Sequence, residues 1–146
     1  MNKMMKMMNI REMFENIMVN GTAMAFASSV DNVPNVRILN YIYSNDEKIM
    51  YFQSFRGSPK EKEFEKNQNV AFTTIPPDGI AFIRTNQATV KKSEKTIFDL
   101  QNVFIEKMTF YKELIEHNGN SMDLYEVHFS NVEVWSNPDK FERLQV

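Results

Sequence analysis

Apolar residues at Ile10, Met13, Phe14, Ile17 and Met18 recur at intervals of three and four, which predicts an amphipathic helix. Asn20-Gly21 reads as its left-handed cap. The pattern then changes to short runs separated by polar turns. Residues 22–29 predict a strand of small and apolar side chains, and residues 30–34 (Val-Asp-Asn-Val-Pro) a turn. A strand carrying Arg37 follows to about Tyr43, then a Ser-Asn-Asp-Glu-Lys turn and a strand over residues 49–54. Ser58-Pro59 opens a short helix that ends at Asn67, and residues 70–74 form another strand. Pro76-Pro77-Asp78-Gly79 is a strong turn signal before a long strand over residues 80–92. From Ser93 onward Ile97, Leu100, Val103, Phe104, Met108, Tyr111, Leu114 and Ile115 form the longest helical stripe. Ser93 or Thr96 caps it, and it predicts one bent helix or two, ending near residues 117–119. Residues 124–129 and 132–135 predict the last strands, and residues 138–146 read as a tail with little power to form a core.

About six short strands with turns between them and a few helices predict a mainly β, α+β architecture. The expected form is a six-stranded antiparallel split barrel with flanking helices, in one domain over residues 1–146. No Gly-x-Gly-x-x-Gly or Walker A pattern occurs, which disfavours a Rossmann or P-loop nucleotide site.

Charge and composition narrow the function further. The 17 basic and 19 acidic residues leave a net charge of −2, and the cations lie among acids, so the footprint of a nucleic-acid binder is missing. Without cysteine there is no disulfide, thiolate metal site or cysteine nucleophile, and two histidines, His117 and His128, are too few for an all-protein zinc site. No apolar run approaches the roughly 18 residues of a membrane span. The Met- and Lys-rich residues 1–8 lack the apolar core and cleavage site of a targeting segment, and read as an ambiguous start plus the beginning of a helix. The expected location is cytoplasmic. No serine has a neighbouring histidine in sequence, so a hydrolase is not indicated.

Candidate chemistry concentrates in residues 34–60. Arg37 lies inside an apolar strand and Lys60 just beyond the next one, an uncommon placement for two cations near a core. A shared anion accounts for both, and phosphate is the natural one, since arginine grips it bidentately and lysine adds a point charge. Gly57 and Ser58 lie between them and can add backbone N–H groups and a hydroxyl. Each residue also admits a structural account. Arg37 can snorkel from an edge strand, Lys60 can belong to a solvated helix face, and Gln53 and Ser54 can be turn residues.

The ordered set Val36-Arg37-Ile38-Leu39, Tyr51-Phe52-Gln53-Ser54 and Gly57-Ser58-Pro59-Lys60, with a short helix and a further strand behind it, resembles the pyridoxamine-phosphate-oxidase-like family of FMN-binding split barrels. The similarity runs over about residues 22–92. The resemblance implies that Arg37 and Lys60 hold the FMN phosphate, with Ser58 beside them. It also implies that the main chain of Ile38, Leu39 and Asn40 and the pair Gln53-Ser54 lie along the isoalloxazine ring. Arg84 and Trp135 are candidates for reaching the flavin from a partner chain, against the alternatives of a surface position for Arg84 and a core or interface position for Trp135.

The same resemblance implies a homodimer with two FMN sites at the interface, to which Phe82, Ile83, Val132, Val134 and Trp135 are expected to contribute. Two departures separate the chain from true pyridoxamine-phosphate oxidases. Residues 137–146 hold one arginine and no histidine, and Ile42 stands where those enzymes carry a lysine. The expected function is therefore an FMN-dependent oxidoreductase of an unassigned small molecule. A flavin-binding storage, sensor or stress module is the alternative, and a haem-binding split barrel or a deazaflavin in place of FMN are further ones.

Overall fold

The structure, a computed structural model, describes residues 8–146. The reading of residues 1–8 as an ambiguous start and helix beginning falls almost wholly outside the described residues. Helix α1 (Ile10–Asn20) is capped by Asn9, whose side chain accepts the Glu12 N–H at 2.8 Å. Gly21 ends it, but with φ −67° and ψ 154°, extended rather than left-handed. Glycine is needed there for closeness: a Cβ would run into the Tyr41 hydroxyl.

Strands β1 (Ala23–Val30) and β2 (Val33–Asn40) form a hairpin around Asp31 and Asn32, both at positive φ, as a two-residue turn requires. The strand resumes earlier than the sequence signal implies, so Pro34 lies inside β2. It is tolerated because β2 is an edge of the sheet, where a missing N–H breaks no ladder. The chain then breaks at Tyr41, and β3 (Ile42–Ser44) pairs with β4 (Ile49–Phe55). Helix α2 (Pro59–Lys66) and strands β5 (Asn69–Thr74) and β6 (Phe82–Lys92) follow. The second helical region is two helices, α3 (Gln101–Lys107) and α4 (Tyr111–Asn118), after a 3-10 turn at Ile97–Leu100 that Thr96 and Asp99 cap reciprocally. Strands β7 (Met122–Phe129), β8 (Asn131–Asn137) and β9 (Lys140–Gln145) complete the chain.

The strands pair in the order β2-β1-β5-β6-β7-β4-β3, with β8 branching from β6 and β9 pairing with β8. The curled, antiparallel half-barrel with helices around it is the expected fold class, but it has nine strands rather than six. Seven runs of the sequence read as strands, and one of the two additions to them comes from the break at Tyr41. The other is residues 140–145, expected to be a tail: their backbone groups complete the β8 ladder from Asn131↔Gln145 to Trp135↔Phe141.

β2 and β3 stand at opposite ends of the strand order yet follow each other in sequence, so the sheet curls until its two ends meet at the Asn40–Tyr41 corner. The core fills both sides of β4. Met50 and Phe52 join Phe26, Phe64, Phe72 and Tyr125 inside the curl, while Tyr51 joins Ile97, Phe104, Tyr111 and Ile115 beneath α3 and α4. Burial of these large side chains, each worth about 1.5–3 kcal/mol, holds the two ends of the sheet together. Ile83, Val132 and Val134, expected at a subunit interface, are instead fully enclosed in the first of these clusters. They alternate with outward neighbours on their strands, and the inward set is the one that fills the curl.

Candidate functional site

Arg37 pairs with Phe26 across the β1–β2 ladder, so its side chain points to the inner face, beside α2. There it donates to Ser28 Oγ at 2.9 Å, to the Phe26 carbonyl at 3.3 Å and to Glu63 Oε2 at 3.1 Å, with its guanidinium over the Phe64 ring. Ser28 also donates to Glu63, and so does Asn35 at 2.9 Å. Arg37 is therefore a half-buried cation fixed by three partners, not a side chain reaching for solvent.

Lys60 arrives from the first turn of α2. Proline at the first helical position presets the backbone, and Gly57, at φ 84°, supplies the left-handed residue of the turn closed by Ser58 N–H to the Phe55 carbonyl. The turn sets a short relay: Ser54 Oγ and Ser58 Oγ are 2.9 Å apart, and Lys60 Nζ donates to Ser58 Oγ at 3.2 Å. Among the described residues no carboxylate lies within ion-pair distance of Lys60 Nζ. Burial holds its ammonium below the ordinary lysine value, Glu61 opposes that, and the nearby positive charge of Arg37 adds to it. The two cations are thus close enough to repel. Hydrogen bonds join Ser54, Ser58 and Lys60, and the charge of Arg37 reaches Lys60.

The rest of the predicted set divides by face. Ile38 and Asn40 point outward and Leu39 inward with Arg37. Gln53 and Ser54, adjacent in β4, point to opposite sides: Ser54 joins the lysine relay, while Gln53 lies with the α3–α4 cluster. There Gln53 and Asn40 act to lower the pKa of the Tyr111 hydroxyl, which burial pushes up more strongly. Gln53 Oε1 is buried and has no partner in the chain. Arg84 and Trp135 make no hydrogen bond or ion pair with any of these residues, among the described ones. Arg84 pairs with Glu133 at 3.5 Å, and Trp135 is stacked between Phe82 and Phe141, with centroids 5.4 and 4.6 Å away.

Register places these two on the outer face with Ile38. The row Ile38↔Ala25↔Thr73↔Arg84↔Glu133 crosses five strands. Ala25, Ala27 and Ala71 floor a shallow groove of about 280 Å³ in this face, with Val36, Phe82 and Arg84 among its walls.

Several residues of the arrangement carried no distinguishing sequence signal. Glu63 and Glu61 sit in a charged helix that reads as solvated, yet Glu63 anchors Arg37 and Glu61 is buried, accepting the Gly57 N–H at 3.3 Å. Ser28 could have been found from alternation, since it follows Phe26 on the inward side of β1. His128 Nε2 lies 2.8 Å from Glu126 Oε1, and His117 is in the last turn of α4.

Chemically, the relay side offers a guanidinium, an ammonium and two hydroxyls, a donor set suited to a phosphate monoester. The other side of β4 offers the unpartnered Gln53 oxygen, an acceptor suited to a ring N–H. The donor set fits FMN on both counts. A bound flavin would supply the electron-transfer chemistry, and Arg37, Ser54, Ser58 and Lys60 would hold its phosphate.

The family model described as pyridoxamine 5'-phosphate oxidase-like matches residues 17–138. The chain belongs to this family. Solved structures agree in fold at low identity. The general stress protein 26 of Bacillus anthracis superposes with a TM-score of 0.69 at 14% identity, over 95% of this chain and 100% of that one. A FAD-binding protein of Mesorhizobium loti gives 0.61 at 16%, over 86% of this chain and 90% of the other. A haem-binding protein of Mycobacterium smegmatis gives 0.74 at 8%, over 94% of this chain and 58% of the other. No curated protein matches the sequence. Among the described residues, no helix of this family member is long and apolar enough to cross a membrane.

Proposed function

We propose that this chain binds FMN and acts as a flavin-dependent oxidoreductase on a small-molecule substrate. The observation that carries the reading is the placement of Lys60. A half-buried ammonium, without a carboxylate in ion-pair reach and within the field of Arg37, is electrostatically costly until an anion joins the two cations. The phosphate of FMN is an anion of the right size for Arg37, Ser54, Ser58 and Lys60. The main chain of Ile38, Leu39 and Asn40, with Gln53, would run along the ring.

A homodimer belongs to the same reading. The outer face carries Val36 and Ile38 at 69% and 64% exposure, an apolar strip that a second copy would cover. Arg84 and Trp135, remote from the relay of their own chain, would then serve the partner's flavin site. The FAD-binding neighbour favours a flavin. The haem-binding neighbour shares the fold, but His128 is engaged by Glu126 and His117 sits exposed at a helix end, poor placements for an axial ligand.

Mass spectrometry and absorption spectra of the small molecule that co-purifies are the test. FMN is expected, and haem or a deazaflavin in its place overturns the reading. Oxidation of NADH or NADPH by the yellow protein is expected of an enzyme, and a flavin that no nicotinamide reduces makes the chain a binding module.

A further inference from the structure

Glu61 is a buried carboxylate for which the proposed phosphate contacts have no use. It is 7% exposed, its Oε1 accepts the Gly57 N–H at 3.3 Å, and its Oε2 is buried without a partner. The residue stands three places after Ser58, and Ser-Pro-Lys-Glu has the spacing of a capping box. In that motif the serine hydroxyl accepts the glutamate N–H, and the carboxylate reaches back to the serine N–H. Neither bond is made here. The Glu61 N–H donates to the Ser58 carbonyl at 3.1 Å, and the Ser58 N–H to the Phe55 carbonyl at 3.1 Å. Ser58 Oγ does not cap the helix and lies instead 2.9 Å from Ser54 Oγ and 3.2 Å from Lys60 Nζ. The carboxylate reaches one residue further back, to the N–H of the left-handed Gly57.

This rearrangement frees the relay. A serine that capped its own helix would commit its hydroxyl to a backbone donor, whereas a turn held through Gly57 leaves that hydroxyl to the lysine. Glu61 also acts on the lysine directly. Burial and the charge of Arg37 lower the Lys60 ammonium, and the charge of Glu61 opposes both. These are the charged groups that act on Lys60, one from its own helix and one from β2. Beyond Glu61 stands Tyr125 of β7, whose hydroxyl is pushed up by burial first and then by the charges of Glu61, Asp123 and Glu65. Asp123 is itself paired with Arg56 and Lys92.

We propose that Glu61 is the positioning residue of the phosphate site: it holds the Gly57–Ser58 turn in the form that leaves the Ser58 hydroxyl free for a phosphate monoester, and it sets a fixed negative charge beside Lys60. Glu61 touches no ligand and acts through Ser58 and Lys60. The inference rests on the reading of Arg37, Ser54, Ser58 and Lys60 as the place of the FMN phosphate. It accounts for a carboxylate buried next to a site for an anion, where its own charge would otherwise only repel the ligand.

FMN affinity of the full chain, titrated by flavin fluorescence from pH 7 to pH 9.5, is the experiment. Glu61→Gln retains an acceptor for the Gly57 N–H and removes the charge. Its affinity at pH 7 should stay within about threefold of wild type. Its loss of affinity at high pH, as Lys60 gives up its proton, should set in at lower pH than in wild type, because the charge that holds the ammonium is gone. Lys60→Arg stays charged throughout and should abolish that loss, which assigns it to Lys60. Glu61→Ala removes the acceptor as well and should bind about fivefold or more weakly at pH 7. Hydrogen exchange of the Gly57 amide in the flavin-free chain reads the turn itself, and should be faster in Glu61→Ala than in wild type or Glu61→Gln. Wild-type affinity or unchanged Gly57 exchange in Glu61→Ala, or a high-pH loss that Glu61→Gln leaves in place, overturns the proposal while the flavin reading stands. A wild-type chain that binds no FMN overturns both.

Discussion

The guanidinium of Arg37 donates to Glu63 Oε2 at 3.1 Å and, together with Asn35, ties the edge strand β2 to α2. The pair also decides how much positive charge the relay presents. Glu63 takes one edge of the guanidinium and holds it in place with help from Ser28, while Lys60 stays without a carboxylate. A carboxylate beside the arginine both orients it and offsets its charge, and the two effects act oppositely on a bound phosphate.

Separate substitutions resolve them. Arg37→Ala and Lys60→Ala each remove a charge-assisted contact of about 1.5–3 kcal/mol, so FMN affinity should fall about tenfold or more in each. Glu63→Gln retains an acceptor oxygen while removing a negative charge, and should tighten FMN by a few-fold. Titration by quenching of flavin fluorescence measures all three. Wild-type affinity in both Arg37→Ala and Lys60→Ala would remove the phosphate from this place.

Gln53 and Ser54 should act on different properties, since adjacent strand residues face opposite sides. Ser54→Ala breaks the hydroxyl relay to Ser58 and Lys60 and should weaken FMN without moving its absorption bands. Gln53→Leu removes the buried oxygen that has no partner and should shift the flavin spectrum or its reduction potential. A spectral shift from Ser54→Ala with none from Gln53→Leu would reverse the assignment.

These two residues also show how far sequence reasoning reaches. The strands over residues 22–29, 49–54 and 80–92 were legible as apolar runs between polar turns. Arg37 and Lys60 stood out because charge is unusual beside such strands. What periodicity cannot carry is partnership across the chain. Glu63 is one of several acids in a helix whose pattern reads as solvated, and only the curl of the sheet brings it to Arg37. The same holds for Ile83, Val132 and Val134, which look like surface apolar residues until the pairing of β6 with β8 encloses them. Residues 140–145 failed for another reason: Lys140-Phe141-Glu142-Arg143 has little β-propensity, and the strand exists because β8 offers a free edge.

Lys107, whose Nζ stands 4.6 Å from the centroid of the Tyr41 ring and donates to the Tyr41 carbonyl, should leave a mark on stability. Its folded-state value of about 8 is below the 10.5 of an ordinary lysine, so between those two the unfolded chain binds more protons than the folded one. Stability from this group therefore rises with pH across that window, is fully present above it, and is lost as pH falls through the folded value. Lys107→Met keeps the apolar stem and removes the charge. The variant should melt at a higher temperature than wild type near pH 7, and the difference should shrink as pH climbs from 8 towards 10.5. A melting-temperature difference that stays constant over that range would mean that the ammonium is as well accommodated in the fold as in water.

The strip of Val36 and Ile38 on β2 gives the last prediction, because it separates assembly from cofactor binding. Val36 faces outward beside Ala27 and Ala71, opposite to Arg37, so a charge at position 36 leaves the arginine and its partners untouched. If a second copy covers this face, Val36→Asp buries an unpaired carboxylate at the interface of every dimer, twice over by symmetry, and should convert the protein to a monomer. Sedimentation velocity reads the mass directly. Where the flavin site is built from both chains, FMN binds the assembled form and stabilises it by mass action, so the wild-type dimer should tighten on adding FMN while the variant loses flavin affinity along with its partner. A Val36→Asp monomer that still binds FMN with wild-type affinity would confine the flavin site to one chain and leave Arg84 and Trp135 without a role in it.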